Sequence, residues 1–127
     1  MLRVLIADDH PVYRRALAGW LRASGVDVVA EVPNGDEAVR AALDLEPDVV
    51  LMDLNMPGLG GLAATELLRM RLARTQVVIL TVSALGDDFV ASLAAGAAGY
   101  LVKDTPVDEI VASIRAAAAG STRTVLP

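Results

Sequence analysis

Four short apolar segments of the sequence are each followed by polar residues that could do chemistry. These residues are Asp8-Asp9 after LRVLIA, Asp53 after DVVLM, Thr81 and Ser83 at the end of QVVILTV, and Lys103 after AGYLV. Carboxylates can ligate a hard cation or act as nucleophiles, and an ammonium group can neutralise anionic charge. Lys103 is the single lysine among 11 basic residues, which makes its position after an apolar segment notable.

The three aspartates would need a partner if the fold brought them together. Three carboxylates within a few ångströms repel one another by several kcal/mol at an effective dielectric constant of about 20. They would either hold protons or share a cation, and oxygen ligands that leave room for waters favour magnesium. Asp53 is the candidate nucleophile, because carboxylates can accept phosphoryl groups. Lys103 and the metal would neutralise charge on the phosphoryl oxygens, and Thr81 would donate its hydroxyl to one of them.

Composition narrows the class of protein. The 127 residues fit one domain, and 54% hydrophobic residues are enough to bury a core. The absence of cysteine excludes disulfides and thiol chemistry, and a net charge of -5 argues against binding nucleic acid directly. The longest uncharged run, residues 89–102, is too short for a membrane span, and nothing resembles a signal peptide. We therefore expect a cytoplasmic protein without membrane contact.

The period of hydrophobicity predicts strands alternating with helices. The predicted strands are 2–7, 26–32, 48–53, 76–82 and 98–102, and the predicted helices are 10–23, 36–45, 62–72, 87–95 and 105–119. Such alternation indicates an α/β fold with right-handed crossovers and a parallel sheet covered on both faces. Ligands of such sheets bind outside the carboxyl ends of the strands. The polar residues above are therefore predicted to meet at one edge.

Several local features are interpreted as structural. Trp20 and Leu21 lie on the apolar face of the first helix and are predicted core residues, and His10 is predicted to be a solvated rim residue. Asn34-Gly35 is interpreted as a turn only. The last helix is predicted to begin with a capping box at Thr105, with proline at its first helical position.

Taken together, these motifs resemble the receiver domains of bacterial two-component response regulators, over Leu2 to Ala119. The order and spacing of Asp8-Asp9, Asp53 followed by MPG, Thr81, and GYLVKD with Lys103 carry the resemblance. It implies a flavodoxin-like, doubly wound (βα)5 three-layer sandwich. Its five-stranded parallel sheet would have the strand order 2-1-3-4-5.

The resemblance also implies a role for each site residue. Asp53 would accept a phosphoryl group from a histidine kinase, and Thr81 and Tyr100 would form a switch pair. Magnesium would be held by Asp8, Asp9, Asp53 and the backbone carbonyl of Asn55, and the phosphoryl lifetime would be tuned by Asn55, Val82 and Ser83. Such a domain is not a turnover enzyme, since it catalyses only its own phosphorylation and dephosphorylation.

The phrases DDHPVYRRAL and GYLVKD are similar to those of the NarL/FixJ subfamily. This similarity implies a receiver domain over 1–120 and a linker start over 121–127, leading to a helix-turn-helix domain outside this chain. That domain would contact DNA and control transcription, and the protein would form a homodimer on activation.

Two other classes of function are open at this stage. The chain could be a phosphorylation-independent interaction module that dimerises through a helical face. The branched Val82, which should narrow access to Asp53, keeps that alternative open. A nucleotide-binding or hydrolytic α/β enzyme is disfavoured, because the turn after the first strand has no glycine-rich loop.

Overall fold

Strands and helices alternate along the described part of the chain. The computed structural model describes residues 1–82 and 86–120 and, for the backbone alone, 123–124. The strands are β1 (Arg3–Ala7), β2 (Asp27–Val32), β3 (Val49–Met52), β4 (Gln76–Thr81), β5 (Gly99–Val102) and β6 (Arg123–Thr124). The helices are α1 (Pro11–Ala23), α2 (Gly35–Leu45), α3 (Gly61–Arg71), α4 (Gly86–Ala94) and α5 (Val107–Ala118). Within the described ranges, no helix has the length and apolarity needed to span a membrane.

The strands form one parallel sheet in the order β2-β1-β3-β4-β5-β6. The first five strands confirm the predicted order 2-1-3-4-5 and the flavodoxin-like fold. The two residues of β6 pair with Gly99 and Tyr100 of β5, so part of the segment predicted as a linker extends the sheet. The order reverses at β1, between β2 and β3, which is where such sheets open a crevice.

Two apolar cores lie on opposite faces of the sheet. One contains residues of α1 and α5, among them Leu17, Leu21, Ile110 and Ile114. The other contains residues of α2 and α3, with Phe89 of α4 packed against it. Since β1, β3 and β4 are covered on both sides, they carry the nearly continuous apolar sequences typical of buried parallel strands. The result is the predicted three-layer sandwich.

Predicted element bounds differ from the observed ones by at most two residues, but the capping box was wrong. Pro106, not Thr105, occupies the N-cap position of α5, and no side chain caps this end. Thr105 lies one residue too early for its hydroxyl to reach the first free N–H groups of the helix. Its buried Oγ1 accepts or donates no hydrogen bond among the described residues.

The prediction for Trp20 was also wrong, whereas that for Leu21 is confirmed. Leu21 is fully buried, but Trp20 is 47% exposed. The buried stripe of α1 is centred between Leu17, Ala18 and Leu21, and Trp20 lies at its margin. Apolar spacing alone did not distinguish the centre of the stripe from its margin.

Asn34-Gly35 is more than the turn that the sequence predicted. Asn34 caps α2, because its Oδ1 accepts a hydrogen bond from the Glu37 N–H and its Nδ2 donates to the Glu37 carboxylate, both at 2.9 Å. Gly35 begins the helix, and a Cβ there would lie 2.0 Å from the Leu59 carbonyl oxygen. The contact with Leu59 is long-range and could not be inferred from the local pattern.

Candidate functional site

The carboxyl ends of β1 and β3 place two aspartates side by side. Ala7 is the register partner of Met52, so Asp8 and Asp53 leave the sheet as neighbours. Backbone hydrogen bonds hold both, from Asp8 N–H to Val32 at 3.0 Å and from Asp53 N–H to Ala7 at 2.9 Å. Asp8 is 2% exposed and Asp53 is 3% exposed. The parallel register of β1 and β3 therefore brings the acid that follows each strand into the crevice at the carboxyl ends.

Lys103 reaches the same position from the end of β5. Its Nζ lies 2.6 Å from Asp8 Oδ2 and 3.5 Å from Asp53 Oδ2. Its backbone N–H donates to the Thr81 carbonyl at 2.7 Å, which anchors the chain at this point. Tyr13 of α1 steers the side chain, with its ring centroid 4.9 Å from Nζ and its hydroxyl donating to the Lys103 carbonyl at 3.3 Å. The structure thus brings the single lysine to the acids, as predicted.

The electrostatics of the site favour added positive charge. Burial raises the pKa of Asp53, Lys103 lowers it, and the neighbouring charge of Asp8 raises it further. The net direction is upward, so one nearby ammonium does not compensate the buried acids. Burial and the same acids also raise the pKa of Tyr13, which keeps its hydroxyl protonated as a hydrogen-bond donor.

The acid cluster, defined here as Asp8, Asp9 and Asp53, fits a divalent cation. One ligand atom from each of these residues and from His10 lies within 4.8 Å of the others, the only such group found in the described part of the chain. Asp9 Oδ1 and Asp53 Oδ2 are buried and accept no hydrogen bond there. Buried carboxylate oxygens without a hydrogen-bond donor are suitable ligands for a hard cation such as magnesium. The backbone N–H of Asn55 donates to Asp53 Oδ1 at 3.4 Å, which places Asn55 beside the cluster.

Arg14 supports the cluster, and the sequence gave no sign of it. Its guanidinium donates to the backbone carbonyl of Asp8 at 2.7 Å, and its Nε lies 3.5 Å from Glu31 of β2. These contacts tie the turn after β1 to both α1 and β2. Arg14 and Arg15 are adjacent arginines in the sequence, so composition and spacing could not distinguish the one that turns inward.

His10 lies at the rim, as predicted, but it also touches the acids. Its side chain is 58% exposed, yet Nδ1 lies 3.0 Å from Asp8 Oδ1 and 3.2 Å from Asp9 Oδ1. The backbone N–H of His10 donates to Asp8 Oδ1 at 2.9 Å. The sequence indicated only a solvated residue, because these contacts depend on how the turn after β1 folds.

The loop after Asp53 packs closely against the backbone of Gly61. A Cβ on Gly61 would lie 2.2 Å from the Asp53 carbonyl oxygen, so only glycine fits there without moving the backbone. The Gly61 N–H donates to the Leu54 carbonyl at 3.1 Å and closes the loop. Asp36 of α2 accepts a hydrogen bond from the Leu59 N–H at 3.3 Å. The start of α2 therefore supports the segment that follows the candidate nucleophile.

Of the predicted switch residues, Thr81 ends β4 and Tyr100 lies in β5. Thr81 and Tyr100 are buried and, by strand register and alternation, share the sheet face covered by α4. The Tyr100 ring packs edge-to-face on Phe89, with centroids 5.5 Å apart. Val82 is 70% exposed, and Ser83 lies outside the described residues.

An apolar groove of about 510 Å³ borders the acid cluster. It is lined by His10, Val12, Tyr13, Ala16, Trp20, Val82 and Lys103. Val12 is 84% exposed, and Trp20, predicted to be in the core, forms part of its wall. The groove therefore connects the exposed side of α1 with the entrance to Asp53.

Comparison with known sequences gives one consistent result. Residues 4–115 match the profile of the response regulator receiver domain family. The chain is 43% identical over 122 residues to the transcriptional regulatory protein LiaR of Bacillus subtilis, covering 94% of this chain and 57% of LiaR. It is 43% identical over 120 residues to the nitrate/nitrite response regulator protein NarP of Escherichia coli, covering 94% of this chain and 56% of NarP. The chain thus spans little more than half the length of these relatives.

Comparison with solved structures agrees. The signal receiver domain of the response regulator named NarL in Mycobacterium tuberculosis superposes with a TM-score of 0.90 at 34% identity, over 94% of this chain and 97% of that one. A LuxR-family two-component response regulator from an Aurantimonas species gives a TM-score of 0.85 at 36% identity, over 98% and 89% of the two chains.

Proposed function

Because the chain belongs to the response regulator receiver domain family, in its NarL/FixJ subfamily, we propose that it is a phosphorylation-dependent signalling switch with Asp53 as phosphoacceptor. The observation that carries this assignment is the environment of Asp53 Oδ2. This oxygen is buried, accepts no hydrogen bond among the described residues and lies 3.5 Å from the Lys103 ammonium. It is thus available as a nucleophile, with a cation beside it to stabilise the incoming charge.

The reaction is the transfer of a phosphoryl group from a histidine kinase, the partner with which response regulators of this family work. An Asp53 oxygen attacks phosphorus, an O–P bond forms, and the P–N bond to the kinase imidazole breaks. The electron pair of that bond stays on the leaving imidazole. Lys103 neutralises part of the charge on the phosphoryl oxygens, and Thr81 donates its hydroxyl to one of them. The chain thus catalyses only its own phosphorylation and dephosphorylation.

Magnesium is the cofactor that the acid cluster fits best. Asp8, Asp9, Asp53 and the backbone carbonyl of Asn55 would hold it. When bound, the ion neutralises charge on the transferring group. Burial, and to a smaller extent the neighbouring Asp8 and Asp9, raise the pKa of Asp53 despite the nearby Lys103, so a cation that stabilises its charged form would suit this position.

The conformational readout is assigned to Thr81 and Tyr100. Thr81 moves towards the phosphoryl group, and the buried Tyr100 ring repacks against the face built from α4, β5 and α5. Asn55, Val82 and Ser83 tune the lifetime of the phosphorylated state. The position of Val82 on the groove wall supports its part in this role.

The docking site for the kinase is assigned to the apolar groove. Val12 and Trp20 expose apolar surface on α1. The groove they line is shared by His10 and Lys103, which contact Asp53, where a donor imidazole must arrive. Exposed apolar surface of this kind is typical of protein interfaces. Replacing Val12 by aspartate is expected to slow transfer from the kinase while leaving labelling by a small phosphodonor unchanged.

The output is assigned to transcription. Residues 1–120 form the receiver, the segment 121–127, whose β6 still extends its sheet, leads into a linker, and a helix-turn-helix domain outside this chain contacts DNA as a homodimer. The name of the relative LiaR, a transcriptional regulatory protein that this chain covers over 57% of its length, supports the assignment. The net charge of -5 agrees with a domain that leaves DNA binding to another part of the protein.

The decisive experiment measures phosphoryl transfer by intact mass. Incubation with acetyl phosphate and magnesium is expected to add one phosphoryl group to the wild-type chain and none to Asp53→Asn. Asp48→Asn serves as the matched control, because Asp48 is an exposed aspartate whose side chain is bound to the Arg3 N–H at the opposite edge of the sheet. Failure of the wild-type chain to gain mass, or equal labelling of the Asp53 variant, would favour the phosphorylation-independent module.

A further inference from the structure

His10 occupies an unusual position for a residue at the start of a helix. It is the N-cap of α1, where a short polar side chain normally turns back to accept a hydrogen bond from a helix N–H. The His10 side chain makes no such bond. Its ring instead contacts the acid cluster, so the residue contributes to the site and not to the helix end.

The contacts of Nδ1 cannot all be favourable in the absence of a cation. Nδ1 lies 3.0 Å from Asp8 Oδ1 and 3.2 Å from Asp9 Oδ1, which are acceptors. It also lies 3.2 Å from the Lys103 ammonium, which is a donor. If Nδ1 carries a proton it opposes Lys103, and if it presents its lone pair it opposes two carboxylates. A metal ion between the lone pair and the carboxylates removes this conflict.

The separations are those of neighbouring ligands on one ion. Ligand atoms about 2.1 Å from a small divalent cation lie about 3 Å apart when they are adjacent. The distances from Nδ1 to Asp8 and Asp9 match that separation, and Asp53 Oδ2 lies at 3.8 Å. Asp53 Oδ2 has room for a further cation, since its side chain is 2% exposed and it accepts no hydrogen bond among the described residues, the Lys103 ammonium lying 3.5 Å away.

We propose that His10 is a metal ligand through Nδ1, and that the site therefore also takes imidazole-preferring divalent transition ions such as Zn²⁺. Imidazole suits zinc, whereas magnesium prefers oxygen ligands. His10 would then determine which ions compete for the cluster. The proposal concerns the same carboxylates as the proposed function, but it does not require that Asp53 be phosphorylated.

The composition of the chain makes this proposal unusually easy to test. His10 is the single histidine, and cysteine is absent. Zinc binding that depends on an imidazole must therefore involve this residue. For the same reason the imidazole nitrogens give one pair of ¹⁵N signals, which need no assignment by mutation.

The first experiment is ¹⁵N NMR of the His10 ring during titration with zinc and, separately, with magnesium. Zinc is expected to shift the Nδ1 signal much more than the Nε2 signal, saturating at one ion per chain. Magnesium is expected to shift Nδ1 far less. An Nδ1 signal that does not move with zinc overturns the proposal, as does an equal movement with both ions, because the ring would then merely be displaced from the cluster.

The second experiment is calorimetric titration of the wild-type chain and His10→Asn, whose amide can occupy the position of Nδ1 without the imidazole. The Kd for zinc is expected to rise at least about tenfold, and the Kd for magnesium to change much less. Equal Kd values for zinc in the two proteins, or tighter binding of both ions to the variant, contradict the proposal. Circular dichroism checks that the variant is folded.

Mass labelling of the wild-type chain with magnesium separates this result from the proposed function. If the chain is phosphorylated but zinc does not shift the Nδ1 signal, the proposed switch function stands and His10 is not a metal ligand. If the chain is not phosphorylated but zinc shifts the Nδ1 signal, His10 is a metal ligand and the proposed switch function is contradicted.

Discussion

The carboxyl ends of the parallel strands (the carboxyl edge) and their amino ends (the amino edge) carry similar polar residues in different environments. At the carboxyl edge, Asp8, Asp53 and Lys103 form ion pairs with one another, and two buried oxygens, Asp9 Oδ1 and Asp53 Oδ2, accept no hydrogen bond from the described residues. At the amino edge, polar side chains bond to backbone. Asp48 accepts from the Arg3 N–H at 2.8 Å, and Thr75 donates to the Pro47 carbonyl at 2.8 Å.

The difference separates a site from a scaffold. At the amino edge, the side chains of Asp48 and Thr75 bond to the backbone and close loops. Buried charges that face only other charges cost stability unless something else joins them. The carboxyl edge therefore resembles a binding site for a cation and an anion. The cost of its buried charges should be measurable as a lower free energy of unfolding in the metal-free protein.

The largest change in the free energy of unfolding is expected at Gly61, where the backbone leaves no room for a side chain. Gly61→Ala would place a Cβ 2.2 Å from the Asp53 carbonyl oxygen, and both atoms belong to a fixed backbone. Urea denaturation should show the unfolding free energy falling by more than about 3 kcal/mol. Gly19→Ala is the control, since an added Cβ there meets nothing within 4 Å. Because alanine inside α1 should slightly raise the unfolding free energy of the control, a Gly61→Ala variant that loses no stability would mean that the loop after Asp53 can shift to admit a Cβ.

The next effect tests the charges themselves. Lys103→Met removes the ammonium that lies 2.6 Å from Asp8, and the unfolding free energy at neutral pH should fall by about 2 kcal/mol. The loss stays below that of a wholly enclosed pair because the acids can take up a proton. Arg69→Met, at the amino edge, removes a donor to the Ala73 and Thr75 carbonyls and should cost about 1 kcal/mol. Equal losses would erase the difference between the edges.

Removing an acid should have the opposite sign. Asp53→Asn eliminates one buried negative charge, so the metal-free protein should gain about 1 kcal/mol at neutral pH. Because the folded protein raises the pKa of Asp53, its contribution to stability is lost as pH rises from the ordinary carboxyl pKa through the raised one. The advantage of the variant should therefore grow with pH across that window. Urea denaturation in a chelating buffer checks this, and an advantage independent of pH would remove Asp53 as its cause.

Sequence reasoning worked where a residue's environment follows from its strand. Alternation of period predicted β1 to β5 and α1 to α5 but not the two-residue β6, and the rule for carboxyl ends placed Asp8, Asp53 and Lys103 together. It could not find Arg14 or the contacts of His10. Both depend on the course of the turn after β1, and the His10 contact with Lys103 spans 93 residues of sequence.

The errors have the same origin. The exposure of Trp20 depends on how far α1 is rotated against the sheet, which a hydrophobic stripe defines only loosely. The packing of Gly35 on Leu59 joins two segments that carry no mutual signal in the sequence. Local patterns thus predicted the elements, and what they missed were contacts between elements.

The smallest effect is expected at the amino edge, where strain has no functional use. Glu46 ends α2 in the left-handed region with φ of 46°, the single residue other than glycine with positive φ in the described ranges. Its N–H donates to the Ala42 carbonyl and its carbonyl accepts from Arg3, bonds that glycine would keep. Glu46→Gly should therefore raise the unfolding free energy by about 0.5 kcal/mol, once the greater freedom of glycine in the unfolded chain is included.

Glu46→Gln is the matched control, because it removes the charge and keeps the strained backbone. It should leave the unfolding free energy unchanged, so that any gain in the glycine variant is assigned to φ. Labelling of Asp53 by acetyl phosphate should be the same in both variants, since Glu46 lies at the edge of the sheet away from the acid cluster. A glycine variant that gains stability but labels more slowly would mean that the two edges are coupled, which their separate hydrogen-bond networks argue against.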